Sequence, residues 1–175
     1  MIKSDTSLLL VIDFQTRLMP AIHDGAGAVD ATSRLMRAAG ILSIPCVVTE
    51  QYPKGLGRTI PDLPTDGATL FEKTSFGACG QPGFLDLIPA DAQVIVTGCE
   101  SHVCVLQTVL ELLDANRRVY VVADGVGSRA PVSKDIALRR MAGRGAELVT
   151  AEMVMFEWLQ TAQHPHFRTL SGLIK

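Results

Sequence analysis

Long hydrophobic runs are missing from this sequence. The run Leu8-Leu9-Leu10-Val11-Ile12 near the start is closed by Asp13, whereas a membrane-spanning helix needs about 20 apolar residues. No charged lead and small-residue cleavage site accompany it. The chain is therefore expected to be cytoplasmic, with no membrane partner. Cysteines are few, at positions 46, 79, 99 and 104, and no CxxC pair occurs. That spacing argues against a disulfide framework and predicts reduced thiols. The net charge is −2 with both signs scattered, and no basic run marks a nucleic-acid partner. The four histidines are also scattered, at 23, 102, 164 and 166, which makes no case for zinc. Nor does a GxGxxG or P-loop pattern follow the first apolar run, where the chain reads Asp13-Phe14-Gln15. A nucleotide-binding module is disfavoured on that ground, and Gly55-Leu-Gly57 carries no phosphate-binding fingerprint.

What the sequence does have is an alternation of short apolar runs with helix-length amphipathic segments. Strands are predicted at 7–12, 46–49, 69–71, 94–97, 119–122 and 148–150. Most are continuously apolar, as central strands of a parallel sheet covered on both faces should be. Helices are predicted at 27–39, closed by Gly40, and at 102–115, with Ser101 as N-cap. Another is predicted at 131–143, opened by proline and closed by glycine. A short helix at 152–160 and a further one after Pro165 complete the series. The 175 residues fit one domain, 1–175. The βαβ alternation predicts an α/β fold with an open, doubly wound parallel sheet. Residues 50–68 form the one long irregular stretch, and loops of that length are usually functional or disordered.

In doubly wound sheets, ligands sit beyond the carboxyl ends of the strands, where strand order reverses. Three polar residues stand at such ends. Asp13 closes the first strand, Lys73 follows the third, and Cys104 comes just after the fourth, in the first turn of the next predicted helix. A thiol there feels the positive end of the helix dipole, which favours the thiolate. The same turn offers unpaired N–H groups for a developing oxyanion. A carboxylate such as Asp13 can take the thiol proton. A free cysteine is also commonly just a small buried hydrophobe, and position alone leaves both readings open for Cys104. His102 lies two residues from Cys104, and side chains at that spacing on a helix do not face each other. It is read as a capping, substrate-side or plainly exposed residue. His164 and His166, which flank Pro165, are read as surface tail.

Three segments resemble the signatures of the isochorismatase-like cysteine hydrolases. They are Leu9-Leu-Val-Ile-Asp13-Phe-Gln15, Phe71-Glu-Lys73-Thr-Ser-Phe76 and Val96-Thr-Gly98-Cys-Glu-Ser-His-Val-Cys104-Val. With Ala123-Asp124-Gly125-Val126, the likeness runs from residue 7 to about residue 160. It implies a three-layer fold around a six-stranded parallel sheet of order 3-2-1-4-5-6. It also implies a triad, with Cys104 as nucleophile, Asp13 as proton acceptor and donor, and Lys73 as the stabilising cation. A cis peptide between Cys99 and Glu100 is implied too, with the N–H groups of Glu100 and Cys104 as the oxyanion hole. Nicotinamidases of this superfamily carry metal-binding histidines after the second strand. Here that stretch reads Thr49-Glu50-Gln51-Tyr52-Pro53, so neither a metal nor another cofactor is expected.

The resulting expectation is a hydrolase that opens a small amide or related C–N bond through a thioester. The substrate is expected to be a small molecule. One rival is a small-molecule binding or regulatory module that keeps the fold without turnover. Another is a structural role in an oligomer. Small enzymes resembling this one commonly assemble, so a homo-oligomer is expected, with residues 50–68 as a contact surface or a rim to the site.

Overall fold

The fold comes from a computed structural model that describes residues 1–174. Six strands form one sheet: β1 (Ser7–Ile12), β2 (Cys46–Gln51), β3 (Thr69–Lys73), β4 (Gln93–Cys99), β5 (Arg118–Gly127) and β6 (Glu147–Val149). Every pairing is parallel, and the spatial order is β3-β2-β1-β4-β5-β6. The three-layer α/β fold and the strand order implied by the sequence are therefore the observed ones. Strand order reverses between β1 and β4, which pair from Ser7↔Gln93 to Ile12↔Gly98.

Continuous apolar strands fold this way because both faces are covered. In β1, Leu9 and Val11 point into one core, while Leu8, Leu10 and Ile12 point into the other. The first core is closed by α1 (Gly25–Ile41), α5 (Ala151–Leu159) and α6 (Phe167–Ile174). Trp158 of α5 is buried there and donates its indole N–H to Ser7 Oγ at 2.9 Å. The second core is closed by α3 (Leu106–Asp114) and α4 (Pro131–Gly143), with Phe84 and Ile88 from the loop before β4. Each fully buried Leu or Val contributes roughly 1.5–3 kcal/mol through desolvation. No described helix is long and apolar enough to cross a membrane.

Three local differences from the sequence-based expectation have physical causes. Several strands run longer, because polar residues at their carboxyl ends still find ladder partners: Gln51 pairs with Lys73, and Gly98 with Val126 beyond a bulge. The helix expected at 102–115 opens instead with a π-helical turn, Ser101–Val105. Ser101 does not cap it, because its hydroxyl donates to the Gly127 carbonyl across the sheet end at 2.9 Å. Residues 50–68 are also less irregular than expected. They contain α2 (Pro53–Leu56) and are held down by two buried side chains. Gln15 donates to the carbonyls of Gln51 and Gly57 and accepts from the Gln51 N–H. Glu50 accepts from the N–H and hydroxyl of Thr59 and from Arg58.

Candidate active site

At the β1/β4 switch point the chain leaves β1 through Asp13, whose backbone is left-handed (φ 54°). Aspartate tolerates that region better than most residues. The turn directs a wholly buried carboxylate beneath the carboxyl ends of the neighbouring strands. A buried charge must be paired and hydrogen-bonded to persist, and Asp13 is both. Its Oδ1 accepts the Thr49 hydroxyl at 2.6 Å, and its Oδ2 accepts Lys73 Nζ at 2.7 Å. Lys73, the last residue of β3, is equally buried. Its ammonium has three protons to place. It makes two further hydrogen bonds, to the carbonyls of Ser75 (3.2 Å) and Phe76 (3.0 Å).

Cys104 enters from the opposite side, on the π-helical turn, and is 7% exposed. Both Asp13 and Lys73 act on its thiol. The three residues singled out in the sequence, far apart along the chain, thus meet at one point. Their electrostatics differ from the sequence-based expectation. Burial pushes the Cys104 thiol up, Asp13 adds to that, and Lys73 opposes it. Desolvation and a nearby carboxylate both favour the protonated thiol, opposite to the effect expected of a helix start. The resting thiol is neutral.

The Cys99–Glu100 peptide bond is cis. The Glu100 carbonyl accepts the N–H groups of Val103 and Val105. The Glu100 N–H has no hydrogen-bond partner among the described residues. Three consecutive residues of this loop are tied to three consecutive residues that begin at the last residue of β5. Ser101 bonds Gly127, His102 Nδ1 meets Ser128 Oγ at 3.0 Å, and Glu100 is forked by Arg129. The Arg129 N–H also donates to Glu100, at 2.9 Å. His102 therefore serves the loop and not the thiol. Thr49, Glu100 as a carboxylate, and Arg129 carried no distinguishing signal in the sequence. Thr49 reads there as an ordinary strand residue. A cavity of about 330 Å³ adjoins Lys73, lined by Tyr52, Lys54, Glu72 and Gln81 among others, but neither Asp13 nor Cys104 lines it. The stretch where histidines were sought holds Glu50, which lies within β2 and is occupied by Arg58 and Thr59. His164 and His166 lie near each other towards the C-terminal end, their rings tilted by 45° with centroids 5.7 Å apart.

The Glu100 carboxyl sits below its ordinary range, because hydrogen bonds from Arg129 outweigh burial. A depressed folded pKa adds stability above the unfolded carboxyl value and loses it as pH falls through the folded one. Arg129→Ala should therefore lower the urea midpoint clearly at pH 7. The gap to the unaltered protein should narrow only as pH falls below the ordinary carboxyl range and through the depressed folded value of Glu100. A gap of constant size across that range would contradict this account of the pair.

A family model described as Isochorismatase domain matches residues 7–153. Isochorismatase domain-containing protein 1 of Danio rerio is 38% identical over 173 residues, which are 97% of this chain and 61% of that protein. The chain thus spans about three fifths of that relative's length. Isochorismatase domain-containing protein 2 of the same species is 37% identical over 96% of this chain and 86% of that protein. Among solved structures, MAR1 ribonuclease from Caenorhabditis elegans superposes with a TM-score of 0.92 at 38% identity, over 99% of this chain and 91% of that one.

Proposed function

This chain belongs to the isochorismatase family, and from that premise we propose that it is a cysteine hydrolase opening a small amide or related C–N bond. One observation carries the reading: the buried Cys104 thiol stands within the influence of a buried Asp13–Lys73 pair, beside an unengaged Glu100 N–H.

The chemistry follows from those groups. Sγ of Cys104 attacks the substrate carbonyl carbon while its proton moves to Asp13. Because the thiol is protonated at rest, proton transfer accompanies formation of the S–C bond and does not precede it. The carbonyl oxygen becomes an oxyanion, stabilised by the N–H groups of Glu100 and Cys104. Lys73 holds Asp13 in place and balances charge as the proton moves. Collapse of the intermediate breaks the C–N bond, and protonated Asp13 delivers its proton to the departing nitrogen. Water then attacks the thioester and gives a proton to Asp13. The C–S bond breaks, and the sulfur recovers its proton from Asp13. Nothing in the cycle requires a metal or an electron acceptor.

The test is a panel of small amides, ureido acids and lactams, assayed with the unaltered protein and with Cys104→Ala. Any true substrate should lose roughly 10³-fold or more in kcat on removal of the sulfur. Turnover that survives in Cys104→Ala would sink the mechanism.

A second reading rests on the solved structure described as a ribonuclease, which is 38% identical to this chain. Phosphodiester cleavage in RNA uses the ribose 2′-hydroxyl or water as nucleophile and gives a cysteine thiol no obvious step. The two cations at the site, Lys73 and Arg129, are already paired with carboxylates. RNA incubated with both proteins separates the readings. Equal cleavage by both would favour the ribonuclease. No cleavage by either is the outcome expected of an amide hydrolase.

A further inference from the structure

We propose that Glu111 of α3 is a positioning residue for Lys73, acting through the loop between β3 and the second core. The proposal deepens the hydrolase reading, because it concerns how the cation of the triad is held.

Two of the three Lys73 hydrogen bonds go to backbone carbonyls, those of Ser75 and Phe76. The side chains of these residues are exposed, so they do nothing to anchor the loop in the core. The anchoring lies just downstream. The Ser75 hydroxyl donates to the Gly77 carbonyl at 2.6 Å. The Ala78 N–H donates to Thr108 Oγ1 at 3.2 Å, and the Cys79 N–H donates to Glu111 Oε2 at 2.9 Å. Thr108 and Glu111 stand three residues apart on α3, so they lie on one face of the helix. That face receives two successive N–H groups of the loop. Gly77 fits over the carboxylate only because it lacks a side chain. A Cβ there would lie 2.1 Å from Glu111 Oε1.

One continuous segment therefore serves two members of the triad. Its π-helical opening presents Cys104, and α3 fixes the carbonyls that aim Lys73 at Asp13 one and two turns further on. A carboxylate is well suited to this task, because a charged acceptor makes a hydrogen bond roughly twice as strong as a neutral one. Thr108 alone would leave the Cys79 N–H unanchored and the loop free to carry the two carbonyls away.

Competitive acetylation of lysines, resolved by mass spectrometry, reads the Lys73 amine directly and needs no substrate. In the unaltered protein Lys73 should label far more slowly than Lys54. Glu111→Ala should raise Lys73 labelling at least tenfold relative to Lys54, and Glu111→Gln, which keeps an acceptor oxygen, should restore most of the protection. Gly77→Ala provides an independent route, since it pushes on Glu111 without removing it, and should release Lys73 as well. Alkylation of Cys99, buried on the other face of the sheet, reports general opening and should stay unchanged. Lys73 as protected in Glu111→Ala as in the unaltered protein would overturn the proposal. So would release of Lys73 and Cys99 together, or failure of glutamine to rescue. Retained turnover in Cys104→Ala would refute the hydrolase reading while leaving the labelling result intact.

Discussion

Lys73→Met is expected to unfold at a lower urea concentration, with a loss of about 3–5 kcal/mol, the usual consequence of leaving a buried charge without its partner. The Asp13 and Lys73 side chains are both wholly excluded from solvent, so water cannot take over the role of the missing ion. Asp13→Asn should fall by a similar amount, since it leaves the ammonium facing two carbonyls and an amide. The double variant Asp13→Asn/Lys73→Met is the informative one. Replacing both members of a buried pair is often close to neutral, so most of the lost stability should return. Turnover should not, because the proton acceptor is gone. Such a loss is a large part of the roughly 5–15 kcal/mol that holds a domain together. Urea unfolding at pH 7 measures all three variants in one thermodynamic cycle. Additive losses, with the double variant as unstable as the two singles summed, would mean that the ions do not depend on each other.

The second large effect is expected at Gly98, which pairs with Ile12 at the switch point. Its φ of 150° lies where side chains are rarely accommodated, and an added Cβ would stand 2.6 Å from both Ile12 O and Ile12 Cβ. The obstacle is the backbone of a central strand, which cannot swing aside as the tip of a flexible side chain can. Gly98→Ala must therefore push β1 and β4 apart at the end that carries Asp13 and the Glu100 loop. The expected loss is about 3 kcal/mol, at the upper end for overpacking, with a lowered melting temperature as the readout. Gly67→Ala is a control: that glycine also has a positive φ, but nothing lies within 4 Å of its would-be Cβ. It should be strained but uncrowded, with a smaller loss.

The fold was largely legible in the sequence because a doubly covered parallel sheet writes its strands as uninterrupted apolar runs. Asp13 was legible for the same reason, as a charge ending such a run. Thr49 was not: its hydroxyl matters only because β2 lies beside β1, and strand order is a tertiary fact. The Glu100–Arg129 fork and the Glu111 anchor likewise join residues whose nearness depends on which loops stack. The thiol is the sharpest case. A helix start is visible in sequence and argues for a thiolate, whereas the burial and carboxylate that reverse the tendency appear only on folding.

That reversal has a consequence for durability. Peroxide and related oxidants attack the thiolate form of cysteine and convert it stepwise to sulfenic, sulfinic and sulfonic acids, the last of which is irreversible. A nucleophile that keeps its proton until a carbonyl is in place is largely closed to that route. On the proposed mechanism, the burial that favours the protonated Cys104 thiol would also slow its oxidation between turnovers.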